Sequence, residues 1–144
     1  MPSPSKEERL LELILGTSQF KEWHFEELVR ESKLTRAIVN KWLKKYESEC
    51  LISRVKLKGK FPYFIVKGNN PVYLAKKKFY AMEKIYRSGL VKELLSLSEA
   101  KTVILFGSFA KGDWYKDSDV DIFILGGISG FDKSVFEEKL KKRI

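Results

Sequence analysis

Apolar side chains recur at helical spacing through the first third of the chain. The run Lys6–Gly16 has leucine or isoleucine at relative positions i, i+1, i+4 and i+5, and a Gly-Thr-Ser stretch ends it. Comparable stripes predict helices over Trp23–Glu31 and Thr35–Glu49, and only a short Ser-Lys break separates them. The pattern therefore predicts three helices, of which the last two are joined by a tight turn.

The apolar spacing then shortens to that of β-strands. Leu51–Lys58 and Phe61–Lys67 are two short β-like runs around Gly59-Lys60, which is typical of a hairpin turn. Three helices followed by a hairpin resemble a winged helix-turn-helix domain, and the resemblance covers about residues 6–68. We therefore expect an α+β protein whose N-terminal domain spans residues 1–68.

The third predicted helix has one apolar face and one face rich in cations and amides. Such a helix can pack inward while its polar face enters a DNA major groove, and lysines on the hairpin can neutralise phosphates beside it. The expected nucleic-acid contacts are Arg36, Asn40, Lys41 and Lys44 on the helix and Lys58 and Lys60 on the hairpin. The alternative is that the helix contacts another protein or is simply amphipathic.

A cluster of breaker residues, Gly68–Pro71, separates this pattern from the rest of the chain. The following stretch, Val72–Arg87, has a helical apolar face and predicts a connecting helix, and residues 90–97 form a further helical piece. We expect three parts: residues 1–68, a connection over residues 69–89, and a second domain over residues 90–144.

Composition changes this picture in three ways. The net charge is +9, and residues 1–75 hold 14 basic and 9 acidic side chains whereas residues 101–144 hold 8 and 7. This asymmetry favours an anionic partner for the front half, although a lysine-rich surface explains it as well. Cys50 is the only cysteine, so no internal disulfide or cysteine metal site is expected, and no apolar run reaches the ~20 residues of a membrane helix. We expect a cytoplasmic protein without a membrane partner.

The chemistry-bearing residues follow a short apolar strand at 103–106. Gly107-Ser108 ends that strand, and Ser118–Leu125 predicts a second strand that begins with two aspartates. Alternate residues of a strand face the same side about 6.5–7 Å apart, so Asp119 and Asp121 should present their carboxylates together. Two such anions repel each other unless a cation lies between them.

The residue types around this pair suit a phosphate ester and a metal. Mg²⁺, or Mn²⁺ as the alternative, prefers carboxylate oxygens and also holds substrate phosphates. Gly107 lets a phosphate approach the backbone, and Ser108 adds a hydroxyl and an N–H. These groups together indicate phosphoryl or nucleotidyl transfer.

The same residues resemble a known signature. Gly107-Ser108, ten intervening residues and Asp119-Val120-Asp121 resemble the DNA polymerase β-like nucleotidyltransferase superfamily, and Ser118 with the small residues after Gly107 points to its minimal branch. The resemblance covers about residues 90–144. It implies an α/β domain with a small mixed sheet, an NTP substrate, and transfer of a nucleoside monophosphate to an acceptor hydroxyl. It also implies that Asp119 and Asp121 are catalytic metal ligands and that Gly107, Ser108, Lys111 and Ser118 serve the nucleotide.

The chain departs from the family pattern at three positions. Phe109 and Lys111 stand where many relatives have arginines, and the family's third carboxylate is not found before Ile144. That carboxylate either lies beyond the given residues or is missing, so whether the chain is an enzyme stays open. Three functions remain: an active nucleotidyltransferase targeted by its winged helix, a DNA-binding regulator that senses nucleotide, and a toxin–antitoxin-like protein with a helical partner protein.

Overall fold

The computed structural model describes residues 5–144, so the first four residues of the expected N-terminal domain lie outside the described part. The chain forms two compact units, one ending at Leu74 and one running from Ala75 to Ile144. Each unit combines helices with a two-stranded antiparallel sheet, which makes the protein an α+β protein.

The first unit begins with three helices: α1 (Lys6–Gly16), α2 (Phe25–Ser32) and α3 (Arg36–Ser48). The bounds of α1 are those predicted, and a capping box between Ser5 and Glu8 fixes its first turn. Helix α2 begins two residues later than predicted because Trp23 instead forms a backbone bridge with Phe64.

A hairpin completes this unit. Strands β1 (Ile52–Val55) and β2 (Tyr63–Val66) pair antiparallel, with Ile52 opposite Val66. The bridge at Trp23 extends the pairing on the other side of β2 through two backbone hydrogen bonds of 2.7 and 2.8 Å to Phe64. The buried apolar side chains of this unit are Leu10, Leu11, Ile14, Leu15, Trp23, Leu28, Leu34, Val39, Leu43, Tyr46, Leu51, Ile52, Phe64, Val66 and Tyr73.

The remaining elements are α4 (Pro71–Arg87), α5 (Leu90–Ser96), β3 (Ala100–Phe106), α6 (Gly107–Lys111), β4 (Asp121–Gly126) and α7 (Lys133–Leu140). The boundary between the units falls inside α4. The buried apolar side chains of the second unit are Ala81, Ile85, Leu90, Leu94, Phe109, Trp114, Val120, Phe136 and Leu140. No helix within residues 5–144 combines the length and the apolar character needed to cross a membrane.

The second sheet corrects two expectations. In the described residues it consists of β3 and β4 alone, paired antiparallel, and is not the small mixed sheet that the resemblance implied. Strand β4 begins at Asp121, where the sequence pattern predicted Ser118. The reason is that the Val120 N–H donates to the Arg143 carbonyl at 2.8 Å, so residues before Asp121 pair with the end of the chain and not with β3.

Candidate functional site

The Gly-Ser turn lies directly against the second aspartate. Strand β3 ends at Phe106, whose partner across the sheet is Asp121, and Gly107 then turns the chain with a φ of 75° into α6. A Cβ atom at position 107 would overlap the Oδ2 atom of Asp121. Only glycine both adopts this conformation freely and leaves room for the carboxylate. The sheet register therefore brings Gly107, Ser108 and Asp121 to one place.

The first aspartate is held by an arginine. Asp119 lies just before β4, and its carboxylate accepts two hydrogen bonds of 3.0 Å from Nε and Nη2 of Arg143. The side chain of Asp119 is 41% exposed and that of Arg143 is 82% exposed. The expectation that both carboxylates stand on one strand is therefore wrong, since only Asp121 lies in β4. Arg143 therefore supplies a positive charge at Asp119, where the sequence predicted a metal cation.

A short loop leads from α6 to these carboxylates, and a tryptophan anchors it. Trp114 is buried and its Nε1–H donates to the Lys77 carbonyl at 2.9 Å. Further along the loop, the Tyr115 N–H donates to the Ser118 hydroxyl at 2.8 Å, and the Ser118 N–H donates to the Tyr115 carbonyl at 3.0 Å. Ser118 thus orders the turn before Asp119.

Lys142 was not anticipated as part of this region. Its ammonium donates to the carbonyls of Tyr115, Lys116 and Ser118 at 3.2, 2.8 and 3.2 Å. The residue is only 9% exposed. The only sequence signal was a Lys-Lys-Arg run at 141–143, which looks like any solvated basic end of a helix. The contact joins residues 24 to 27 positions apart, and periodicity cannot reveal such a contact.

The two departures from the family pattern in α6 differ in their surroundings. Phe109 is fully buried and packs on Trp114 with ring centroids 5.6 Å apart, so it contributes to the core. Lys111 is exposed at the end of α6. Gly112 follows with a φ of 90°, and a Cβ there would press on the Cβ of Lys78.

A second lysine beneath the loop is also buried. Lys77 is 5% exposed, and its Nζ lies 5.5 Å from the Trp114 ring centroid and 4.5 Å from that of Tyr115. Burial lowers the pKa of Lys77 below its usual value, and the charge of Asp113 opposes that shift. Lys77 therefore supports the loop from the α4 side.

The donor set around the turn fits a hard divalent cation only in part. Within residues 5–144 no group of three or more His, Cys, Asp or Glu side chains could hold a metal ion. Asp121 beside the Gly107 backbone, with Asp119 two residues earlier, offers carboxylate oxygens where a phosphate could supply further ligands. Asp132 does not add to them, because its carboxylate caps α7 by accepting from the Ser134 N–H.

The expected nucleic-acid contacts all lie in the first unit and are all exposed. Four are on α3, namely Arg36, Asn40, Lys41 and Lys44, and two are in the hairpin turn, namely Lys58 and Lys60. Arg36 is paired with Glu26 and lies 5.1 Å from the Phe25 ring centroid. Lys41 lies 5.1 Å from the Trp42 ring centroid.

The comparison with protein families bears on the second unit. Residues 87–144 match the family model of the nucleotidyltransferase domain. This range contains Gly107, Ser108, Asp119 and Asp121, and it also contains Lys142 and Arg143. The match supports the resemblance to the nucleotidyltransferase superfamily and, in general, nucleotidyl transfer with a nucleotide substrate.

A curated relative points the same way over a shorter stretch. A Methanocaldococcus jannaschii protein that carries the provisional description protein adenylyltransferase is 54% identical to this chain over 28 residues. Those residues are 19% of this chain and 28% of the relative, so the chain spans little more than a quarter of that protein's length. No solved structure gives a significant match.

Proposed function

We propose that the second unit binds a nucleoside triphosphate with Mg²⁺ and transfers the nucleoside monophosphate to an acceptor hydroxyl. The observation that carries the proposal is the packing of the Asp121 carboxylate against the Gly107 backbone at the end of β3. It puts a metal-binding carboxylate directly beside a backbone turn that carries no side chain. The match of residues 87–144 to nucleotidyltransferase domains supports the same assignment.

Each residue of the turn has a role in this proposal. The Gly107 backbone and the Ser108 hydroxyl and N–H bind triphosphate oxygens, and exposed Lys111 adds a charge for the phosphates. Asp119 and Asp121 hold Mg²⁺ or Mn²⁺, which when bound neutralises phosphate charge. In the transfer, the acceptor hydroxyl releases its proton to water and its oxygen forms a bond to the α-phosphorus, while the α–β phosphoanhydride bond breaks and pyrophosphate leaves.

Binding is tested by titration calorimetry with ATP or GTP in the presence of Mg²⁺. The double variant Asp119→Ala, Asp121→Ala should lose the heat of binding. Asp117→Ala is the matched control, because this exposed carboxylate lies in the same loop outside the proposed site. Absence of heat with the unaltered chain, or retained heat in the double variant, would refute the site.

Turnover is tested separately with labelled nucleotides. The relative described as a protein adenylyltransferase makes ATP and a protein hydroxyl the first donor and acceptor to assay, with a helical partner protein among the acceptors. Covalent label that disappears in the double variant supports transfer.

A nucleotide sensor without turnover is the second candidate. It is favoured because, within residues 5–144, the site has two carboxylates and no third ligand group. Nucleotide binding without covalent label on any acceptor would support a nucleotide sensor.

For the first unit we propose a winged helix-turn-helix that binds DNA through α3 and the hairpin. Three helices, an antiparallel hairpin and six exposed polar residues on two elements support this.

In mobility-shift assays Lys41→Ala with Lys44→Ala should weaken binding and reduce its salt dependence by about two released counterions. Lys6→Ala, on α1, is the control. If the slope stays unchanged, these two lysines do not neutralise DNA phosphates, which favours a protein contact for α3.

A further inference from the structure

Lys142 has the surroundings of a bound cation. A lysine ammonium has three N–H donors, and its burial is costly unless they are satisfied. Here the three carbonyls of residues 115, 116 and 118 accept from Nζ at 2.8–3.2 Å. The same Nζ lies 5.1 Å from the Phe109 ring centroid and 5.4 Å from that of Trp114. Each donor thus has an acceptor, and two rings cover the ammonium.

These contacts join the two halves of the proposed site. Phe109 belongs to α6, which begins at Gly107, whereas the three carbonyls belong to the loop that ends at Asp119. A shift of that loop would move Asp119 relative to the Gly-Ser turn. Lys142, near the far end of the chain, contacts both α6 and this loop.

The next residue continues the connection. The backbone carbonyl of Arg143 accepts from the Val120 N–H at 2.8 Å, and its guanidinium pairs with Asp119. Residues 142–143 therefore flank the Asp119-Val120 pair, and the ammonium fixes their position on the loop.

We propose that Lys142 is a positioning residue for the metal and triphosphate site. It acts by holding the carbonyls of residues 115, 116 and 118, which fixes the loop that carries Asp119 toward Asp121, the carboxylate packed on Gly107. The inference rests on the proposed function, since it concerns the same site. Lys142 itself touches neither metal nor nucleotide in this role.

The test compares Mn²⁺ affinity with fold stability. Lys142→Met keeps the apolar stem and removes the donors. We expect free-Mn²⁺ electron paramagnetic resonance titrations, with ATP present, to give about 10-fold weaker binding, as is usual when a group supporting a metal ligand is lost. Lys142→Gln keeps two N–H donors and should bind with intermediate affinity, and it remains informative if the methionine variant does not unfold cooperatively.

Two controls on α7, which ends two residues before Lys142, separate positioning from general stability. Lys139→Met removes an exposed lysine of α7 and should bind Mn²⁺ as the unaltered chain does. Leu140→Ala removes a fully buried side chain, which lowers the unfolding midpoint without touching the loop carbonyls. We expect its Mn²⁺ affinity to stay near that of the unaltered chain below the midpoint.

The outcomes are distinguishable. If the unaltered chain fails to bind Mn²⁺ with ATP, the proposed function fails. If the chain binds and both Lys142 variants bind equally well, or if Leu140→Ala weakens binding as much as Lys142→Met, the positioning role is overturned.

Discussion

At the scale of single residues, Gly107 is the most constrained position of the candidate site. Its φ is positive, and the space where a side chain would begin is filled by the Asp121 carboxylate. The backbone conformation therefore favours glycine, and a side chain at this position would displace the Asp121 carboxylate. The two constraints can be separated, because Gly130 also has a positive φ, of 83°, but has no atom within 4 Å of its would-be Cβ.

We predict that Gly107→Ala abolishes nucleotide binding, whereas Gly130→Ala leaves it intact. Both variants incur the backbone penalty of about 1 kcal/mol, and only the first displaces Asp121. Titration calorimetry with Mg²⁺ and ATP measures binding, and chemical denaturation measures stability. Normal binding by Gly107→Ala would show that the Asp121 contact is dispensable.

At the scale of elements, the start of α3 is fixed by its N-terminal capping residue. Thr35 caps the helix by accepting from the Ile38 N–H at 3.4 Å. The cap sets where Arg36 and the following polar face begin. In the second unit, the loop before Asp119 likewise depends on individual contacts and not on strand pairing. Among them are the hydrogen bond from Trp114 to the Lys77 carbonyl and that from Lys142 to the Lys116 carbonyl.

We predict that Thr35→Ala lowers the free energy of unfolding by about 1 kcal/mol, because the capping acceptor is lost. Thr102→Ala, an exposed strand position in the other unit, is the control and should change stability much less. Urea denaturation followed by circular dichroism makes the comparison. An equal loss in both variants would contradict a capping role.

The elements also show what the sequence could predict and what it could not. Helical periodicity predicted the bounds of α1 because capping and apolar spacing are local. The strand pattern misplaced the start of β4, because that start depends on the Val120 hydrogen bond to Arg143, 23 positions later. Gly107, Ser108 and Asp121 were predictable as a motif. Lys142 and Arg143 were not, since only tertiary structure brings a basic C-terminal run to the acidic loop.

At the scale of the whole molecule, the two units carry separate tryptophan reporters. Trp23 and Trp42 lie in the first unit, and Trp114 lies in the second. Charge is also unequally distributed, since residues 1–75 hold most of the excess of basic over acidic side chains. The two proposed ligands, DNA and nucleotide, can therefore be followed on different parts of one chain.

We predict that Mg²⁺ with ATP raises the thermal midpoint reported by Trp114 in a Trp23→Phe, Trp42→Phe background. Ligand at 100 times its Kd should add about 2.7 kcal/mol of stability. Fluorescence melts with and without nucleotide make the measurement, and the Asp119→Ala, Asp121→Ala variant in the same background is the control. An unchanged midpoint at saturating nucleotide would contradict binding in the second unit.

The Arg143–Asp119 ion pair would make cation uptake at the proposed metal site an exchange and not a simple addition. A divalent ion that takes the Asp119 carboxylate must first release the guanidinium, so its apparent affinity would be lower than the intrinsic affinity of the two carboxylates. Because Arg143 is largely exposed, such a pair is worth at most about 1 kcal/mol, which reduces the apparent affinity by no more than about fivefold. The released guanidinium, already largely exposed, would then be free to pair with another anion such as a phosphate.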